Sequence, residues 1–391
     1  MNESSSSSSQ AMGTIDVDQA FIQEPEHRPS LSTIEGQGIP VWSNGAYESV
    51  EHRVIVNSEK ERFSIPYFLF PAHDTEVKPL KELIHEHNPP KYRPYKSGKP
   101  SLSTIEGQGI PVIDLSPVTS NNPSLSSINA LVKEIGSACK EWGFIQVTNH
   151  GVPLSLRQNL LEASKSFFAQ SLQDKKKVSR DETSASGYYD TEHTKNVRDW
   201  KEVFDFLAKE PTLFPLTSDE HDDRILHWTN KNPQYPPHFR DILKEYIKEM
   251  EKLSYKLLEL IALSLGLESK RFEEFFGDQT SFVRLKYYPP CPYSHLALGV
   301  GPHKDSGALT ILAQDDVGGL QVKRKTHDQE WINVEPIPHA YIINLADIIQ
   351  VWSNGAYESV EHRVIVNSEK ERFSIPYFLF PAHDTEVKPL K

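Results

Sequence analysis

Apolar residues recur with a helical period in the first two thirds of the chain. Between Ser127 and Trp142 they stand three and four residues apart, at Ile128, Leu131 and Ile135, which is typical of a helix with one buried face. The same pattern predicts three helices, over Ser127–Trp142, Leu154–Gln170 and Phe239–Leu265. Gly266 follows the third helix, where a glycine commonly forms the C-terminal cap.

From Thr280 onward the pattern changes to short apolar segments separated by Gly and Asp turns. Including two earlier segments, we predict strands at Ile110–Leu115, Phe144–Thr148, Phe282–Tyr287, Leu309–Gln314, Gly319–Val322, Trp331–Val334, Ala340–Leu345, His362–Val366 and Phe373–Phe380. Many short strands favour a barrel or jelly roll. Helices first and strands later predict an α+β or mainly β fold, with a helical N-terminal buttress beside a β core.

Part of the chain is repeated without any change. Residues 41–81 are identical to residues 351–391, and residues 29–41 are identical to residues 100–112. Repeats that build a solenoid diverge and occur in larger numbers. We therefore interpret residues 42–112 as an insertion from a tandem duplication or a faulty gene model; the alternative is a swapped or regulatory segment. Residues 82–99 resemble the tail that would follow Lys391.

Composition and charge exclude several classes of protein. The chain is 37% hydrophobic and 25% charged, with a net charge of −12, which argues against nucleic acid as a partner because phosphate binding needs clustered cations. Its two cysteines suggest a reducing compartment. The N-terminal Ser run does not resemble a secretory signal, and no apolar run is long enough to span a membrane. We expect a cytoplasmic monomer, with domain swapping as an alternative.

Two histidines and an aspartate form the candidate metal site. His303 and Asp305 are two residues apart, and on a strand such residues share a face. His362, in another strand-like segment, is the candidate third ligand. Two His and one carboxylate form the facial triad of non-haem iron(II) oxygenases. A second His-x-Asp pair, His221 and Asp223, lies in a charged run that we interpret as solvated surface.

Ten residues after His362, Arg372 and Ser374 stand two apart within a strongly apolar segment. Arg offers a rigid two-pronged donor for a carboxylate, and a hydroxyl adds a further hydrogen bond. An Arg among apolar neighbours is costly to bury unless an anion pairs with it. The pair therefore predicts an anchor for an organic acid, with a surface Arg and a strand Ser as the alternative.

Together these motifs resemble the plant iron(II)/2-oxoglutarate-dependent dioxygenases, a family that includes flavonol synthase, anthocyanidin synthase and the gibberellin oxidases. Ile110–Leu115, Trp142–Phe144, Asn149–Val152 and Tyr288–Pro292 are similar to further signatures of the family. The resemblance covers about residues 100–391. It implies a double-stranded β-helix, or jelly-roll, core.

The resemblance also implies a domain plan. We expect a disordered tail (1–28), the duplicated insertion (29–99), an N-terminal dioxygenase domain (100–215), linking helices (216–279) and the catalytic domain (280–391).

The resemblance implies the chemistry and its residues. His303, Asp305 and His362 would hold Fe(2+), and 2-oxoglutarate would meet Arg372, Ser374 and Tyr288. With O2, and with ascorbate as a supporting reductant, the protein would hydroxylate or desaturate a small apolar or aromatic plant metabolite and release succinate and CO2. Phe378 and Tyr188 are the candidate substrate contacts, with core packing as the alternative for both. Relatives often carry Asn at the position of Lys286, and that Asn usually contacts 2-oxoglutarate. Whether Lys286 makes the same contact is left open.

Two other functions fit the same residues. The duplication and the missing tail could leave a catalytically impaired or inactive metal-binding protein. A cupin-like metal protein that uses no 2-oxoglutarate is the third reading. We expect the C-terminal copy of the repeat, and not His52, Arg62 and Ser64, to occupy the core, because the earlier copy would have to close a much longer loop.

Overall fold

The computed structural model describes residues 76–78, 80–85, 95–96, 109–120, 124–181, 184–215, 224–323 and 331–390. Most of the inserted copy, including His52, Arg62 and Ser64, lies outside these residues. So do His221 and Asp223.

Six α-helices lie within the described residues, and the three predicted ones are among them. They are Ser116–Thr119 (α1), Leu125–Glu141 (α2), Leu154–Phe168 (α3), Leu172–Lys176 (α4), Phe239–Ser264 (α5) and Asp347–Trp352 (α6). The Ser124 hydroxyl accepts a hydrogen bond from the Ser127 amide and caps α2. Helices α2 and α3 pack on the 26-residue α5 and form the buttress.

An eight-stranded sheet forms the centre of the molecule. In spatial order its strands are Val112–Asp114 (β3), Phe144–Thr148 (β4), Tyr341–Leu345 (β16), Leu309–Gln314 (β13), Arg372–Leu379 (β18), Phe282–Tyr288 (β11), Glu202–Leu207 (β8) and Gly187–Tyr189 (β5). Only the β3–β4 pair of this sheet is parallel. The sheet thus combines four strands that precede α5 in the chain with four strands that follow it.

A four-stranded antiparallel sheet completes the jelly roll. Its strands, in spatial order, are Leu298–His303 (β12), His362–Ile365 (β17), Leu320–Lys323 (β14) and Trp331–Asn333 (β15). The shorter remaining strands are Glu76–Val77 (β1), Tyr95–Lys96 (β2), His193–Thr194 (β6), Val197–Arg198 (β7), Thr212–Pro215 (β9) and Ile225–Trp228 (β10).

Two apolar cores hold these layers together. The larger lies between the eight-stranded sheet and the helices, and includes Ile135, Leu253 and Ile311. The smaller lies between the two sheets, where Tyr288 of β11 packs with Val300 of β12 and other residues. None of the helices in the described part of the chain combines the length and apolar character needed to cross a bilayer.

Several elements are absent from the sequence-based prediction. No strand was predicted at β12, whose sequence contains two glycines and a proline, residues that weaken strand propensity. The helices α1, α4 and α6 and the strands β1, β2 and β5 to β10 were not predicted either. Pairing with neighbouring strands decides such segments, and local propensity does not show it.

Candidate active site

The three candidate ligands meet where β12 and β17 pair. His303 and His362 stand directly opposite each other in the antiparallel register. Asp305 lies two residues beyond the end of β12, so the expectation that it shares a strand with His303 is wrong, although the side chains still converge. Asp305 Oδ1 is 3.5 Å from Nε2 of His303 and 3.7 Å from Nε2 of His362.

Backbone carbonyls orient both imidazoles. Nδ1 of His303 lies 2.8 Å from the carbonyl oxygen of Gly301, and Nδ1 of His362 lies 3.3 Å from that of Val360. Each Nδ1 therefore carries the proton, and each Nε2 keeps its lone pair for the space beside Asp305. Such outer hydrogen bonds fix the tautomer of a metal-binding histidine.

Two polar side chains orient the buried carboxylate. Thr310 Oγ1 and Asn344 Nδ2 donate to Asp305 Oδ2 at 2.6 and 2.7 Å, so Oδ1 faces the histidines. Burial raises the pKa of Asp305, but His362, His303 and the Thr310 hydrogen bond outweigh it and hold that pKa well below its usual range. The carboxylate is thus ionised.

This donor set fits a divalent metal ion. One ligand atom from each of His303, Asp305 and His362 lies within 4.8 Å of the others. Burial and the neighbouring His303 lower the pKa of His362 to about 4, which keeps the imidazole neutral and able to coordinate. Two imidazoles and one carboxylate that leave coordination positions open suit iron(II).

Arg372 lies buried at the first position of β18, and Phe378 lies near the other end of that strand. Its Nε donates to the carbonyl oxygen of Gly318, and its Nη2 donates to Gln314 Oε1 at 3.1 Å. Gly319 has a φ of +94°, and a Cβ there would come within 2.7 Å of the Ile365 carbonyl oxygen. Glycine is therefore needed in the turn that holds Arg372.

Three buried polar atoms around Arg372 lack a protein partner. They are Arg372 Nη1, Gln314 Nε2 and Tyr288 Oη. The guanidinium carbon lies 4.9 Å from the centre of the Tyr288 ring, and Ser374 is buried beside them at 3% exposure. Unpaired buried donors are costly, so their clustering fits an acid group that would accept from all of them.

Charge also favours an anion at this end of the strands. Burial raises the pKa of Tyr288, but the cations Lys286, Arg372 and Lys201 outweigh it and lower that pKa overall. A carboxylate placed among these groups would gain from the same positive potential. Arg372, Ser374 and Tyr288 therefore fit the distal carboxylate of 2-oxoglutarate.

A cavity of about 230 Å³ opens beside His303 and Asp305. Phe378 lines it, stacked on Phe282 with ring centres 4.9 Å apart, and Lys286 lines it as well. Tyr188 does not. It is buried in the helical core, packs on Phe167 and donates to Glu202 Oε2 at 2.8 Å.

The residues that hydrogen-bond to the candidate ligands and to Arg372 were not predicted from the sequence. Thr310 and Asn344 are opposite partners on β13 and β16, and Gln314 also lies on β13. Each is a polar residue in an otherwise apolar buried strand. That contrast was visible in the sequence, but the cross-strand register that brings Thr310 and Asn344 to Asp305 was not.

Two protein-family models match the chain. That of the 2OG-Fe(II) oxygenase superfamily covers residues 279–381, and also residues 4–71, which include part of the first copy. The second model, described as "non-haem dioxygenase in morphine synthesis N-terminal", covers residues 110–235. The chain belongs to the 2OG-Fe(II) oxygenase superfamily. Such oxygenases are oxidoreductases that use iron(II) and 2-oxoglutarate.

Plant relatives share this membership. Jasmonate-induced oxygenase 2 of Arabidopsis thaliana is 40% identical over 288 residues, 72% of each chain. Codeine O-demethylase of Papaver somniferum is 36% identical over 299 residues, 74% of this oxygenase and 76% of the relative. The crystal structure of JOX2 in complex with 2OG, Fe and JA superposes with a TM-score of 0.61 at 37% identity, over 73% of this chain and 78% of that one.

Proposed function

We propose that His303, Asp305 and His362 hold Fe(2+), and that Arg372, Ser374 and Tyr288 bind 2-oxoglutarate. The observation that carries this proposal is the convergence of two imidazoles and one carboxylate, with a ligand atom of each within 4.8 Å of the others. The unpartnered donors of Arg372 and Tyr288 support the second half. With O2, iron and 2-oxoglutarate supply the oxidising chemistry that yields succinate and CO2, and we propose ascorbate as a supporting reductant.

The protein's own residues orient the metal ligands and bind the cosubstrate. The Gly301 and Val360 carbonyls hold the imidazoles in one tautomer, and Thr310 and Asn344 hold the carboxylate. Arg372 would pair with the distal carboxylate of 2-oxoglutarate through its free Nη1. Fixing the cosubstrate beside the metal in this way raises the effective concentration of the reacting groups.

The substrate would occupy the cavity beside His303 and Asp305. Its aromatic wall of Phe282, Phe378 and Phe380 supports a small apolar or aromatic metabolite, consistent with a role in plant specialised metabolism. Phe378 would contact it, and the reaction would be hydroxylation or desaturation of a C–H bond. Tyr188 would instead position Glu202 and take no direct part in binding.

Turnover of 2-oxoglutarate to succinate tests the proposal. Purified protein with iron(II), ascorbate and O2 should form succinate, and Arg372→Met should reduce its formation by at least about a hundredfold, because it removes a buried charge-assisted pair. Arg271→Met serves as the control with full turnover, because Arg271 is partly exposed seven residues beyond the end of α5 and pairs with the exposed Glu274. Equal turnover in Arg372→Met would contradict the cosubstrate assignment.

A catalytically impaired oxygenase is the alternative, and the duplicated segment 41–81 favours it. Folded protein that binds iron and 2-oxoglutarate but forms no succinate would support this alternative. Removing residues 42–112 and regaining turnover would then identify the insertion as the cause.

A further inference from the structure

Lys286 occupies an intermediate position on the strand pair that lines the active site. Along β11 and β18 the register pairs Tyr288 with Arg372, then Lys286 with Ser374, and later Phe282 with Phe378. Residues two apart share a face of the sheet, so these residues form one continuous surface. Lys286 thus lies between the proposed 2-oxoglutarate anchor and the aromatic wall.

The Lys286 side chain leans toward the aromatic wall. Its Nζ lies 5.6 Å from the centre of the Phe378 ring, although its register partner is Ser374, four residues earlier on β18. Lys286 lines the cavity beside His303 and Asp305, whereas Arg372, Ser374 and Tyr288 are absent from that lining. The ammonium group therefore borders the space left for a substrate, and it also lies close enough to Tyr288 to lower the pKa of that residue.

The charged side chains next to Lys286 already pair among themselves, with equal numbers of positive and negative charges. Three cations and three carboxylates pair there: Arg180, Lys201 and Arg284 with Asp199, Asp205 and Glu192. Both Glu192 oxygens are engaged, one with Arg284 at 2.6 Å and the other with Lys201 at 2.6 Å. Lys286 is the surplus cation of this face.

No carboxylate of the described chain lies within ion-pair distance of Lys286. Burial lowers the pKa of Lys286, Lys201 and Arg284 lower it further, and the opposing effects of Tyr288 and Glu192 do not make up the difference. A partly buried ammonium without an anion is unfavourable, and an anion entering the cavity would relieve that cost.

We propose that Lys286 binds a carboxylate of the substrate, so that this oxygenase acts on a small organic acid with an apolar or aromatic body. The aromatic wall would cover the body, and the ammonium group would fix the acid end. The inference rests on the proposed function, because it assumes that Arg372 and not Lys286 anchors 2-oxoglutarate.

The same chemistry could come from either of two carboxylates, that of the substrate or that of 2-oxoglutarate. The direction of the side chain and the cavity lining favour the substrate. Separate binding measurements for the two acids distinguish them, because each source predicts that Lys286 variants change a different dissociation constant.

Calorimetry on protein saturated with zinc(II) and 2-oxoglutarate tests the proposal without turnover. The probes are phenylpropanoate, cinnamate and naphthylacetate, each compared with its own primary amide. A charge-assisted hydrogen bond makes at least one acid bind about tenfold more tightly than its amide. Lys286→Met should abolish that preference, and Lys286→Arg should keep it. Lys248→Met, on the exposed face of α5, is the charge control and should behave as the wild type.

The cosubstrate is measured in parallel with the zinc(II)-loaded protein. Lys286→Met removes one of the cations near Tyr288 but no proposed contact with 2-oxoglutarate, so the dissociation constant of 2-oxoglutarate should rise by no more than about threefold. Arg372→Met should raise it by at least about tenfold. Wild-type protein that binds 2-oxoglutarate but prefers no acid over its amide overturns the Lys286 proposal alone. A weaker 2-oxoglutarate affinity in Lys286→Met with the acid preference intact assigns the ammonium to the cosubstrate and also overturns it. Wild-type protein that does not bind 2-oxoglutarate counts against the proposed function itself.

Discussion

At the scale of single residues, the candidate metal site depends on how one carboxylate is held. Asp305 Oδ2 accepts from Thr310 and Asn344, and Oδ1 is left to face the histidines. A carboxylate free to rotate would present either oxygen and would lose entropy on binding a metal. Thr310 and Asn344 therefore act through Asp305 and are positioning residues.

Asn344→Leu should weaken iron(II) binding by about ten- to a hundredfold, the range seen when outer-shell partners of metal ligands are removed. Thr310→Val, which keeps the shape of the side chain and removes only the hydroxyl, should also weaken it. Anaerobic titration of iron(II), with thermal unfolding to confirm that the variants fold, measures the effect. Wild-type iron affinity in both folded variants would show that Asp305 needs neither partner.

The candidate metal ligands and the arginine anchor were easier to predict from the sequence than the residues that hold them in place. His303, Asp305 and His362, and likewise Arg372 and Ser374, were visible because spacing and residue type restrict them to a few roles. Thr310, Asn344 and Gln314 were not, because their role depends on cross-strand register, which a single sequence does not specify. Tyr188 was a candidate for substrate contact by its sequence alone, and the fold instead buries it beside Glu202.

At the scale of elements, the turn before β14 decides where Arg372 lies. Gly318 accepts a hydrogen bond from Arg372 Nε, and Gly319 has a positive φ with no room for a side chain. The turn thus links the small sheet to the end of β18. Periodicity predicted a strand here, but it gave no indication that the preceding glycines hold the arginine.

Gly319→Ala should lower the free energy of unfolding by about 1–3 kcal/mol, the cost of forcing an L-residue into this conformation. It should also weaken 2-oxoglutarate binding, because Arg372 loses its fixed partner. Gly277→Ala is the matched control: Gly277 has a φ of −58° and nothing lies within 4 Å of the added Cβ. Urea denaturation compares the two, and equal stabilities would contradict this account of the turn.

Strand identity was easier to predict than strand order. β4, β11, β13 and β17 were found within one or two residues because they are apolar and bounded by turns. β12 was missed, although it carries His303, because its glycines approach other groups closely. A Cβ on Gly299 would lie 2.7 Å from the Tyr288 ring, a constraint that arises only when the two sheets face each other.

At the scale of the whole molecule, the repeat raises the question of which copy forms the site. His362, Arg372 and Ser374 of the C-terminal copy take their places in β17 and β18 of the described fold. Each strand of a jelly roll has one place, so a second identical segment has no vacant position to fill. We therefore expect residues 42–112 to be dispensable for folding, because residues 29–41, identical to residues 100–112, would supply the residues that Ile110 and Val112 now place in the core and in β3.

Deleting residues 42–112, which joins Val41 to Ile113, should give a folded chain with unchanged iron and 2-oxoglutarate affinity. Thermal unfolding and size-exclusion chromatography should show equal or higher stability and a monomer, because the deletion removes a segment that competes for the same strands. Loss of folding on deletion would mean that the inserted copy has a structural role, as a swapped segment would.

The most direct test of the central claim is the iron content of three proteins prepared anaerobically with iron(II): wild type, His362→Ala and His52→Ala. His52 and His362 occupy the same position in the two identical segments, so the variants are matched in sequence context. We predict one tightly bound iron per chain in the wild type and in His52→Ala, and loss of that iron in His362→Ala. Iron retained by His362→Ala and lost by His52→Ala would contradict the account.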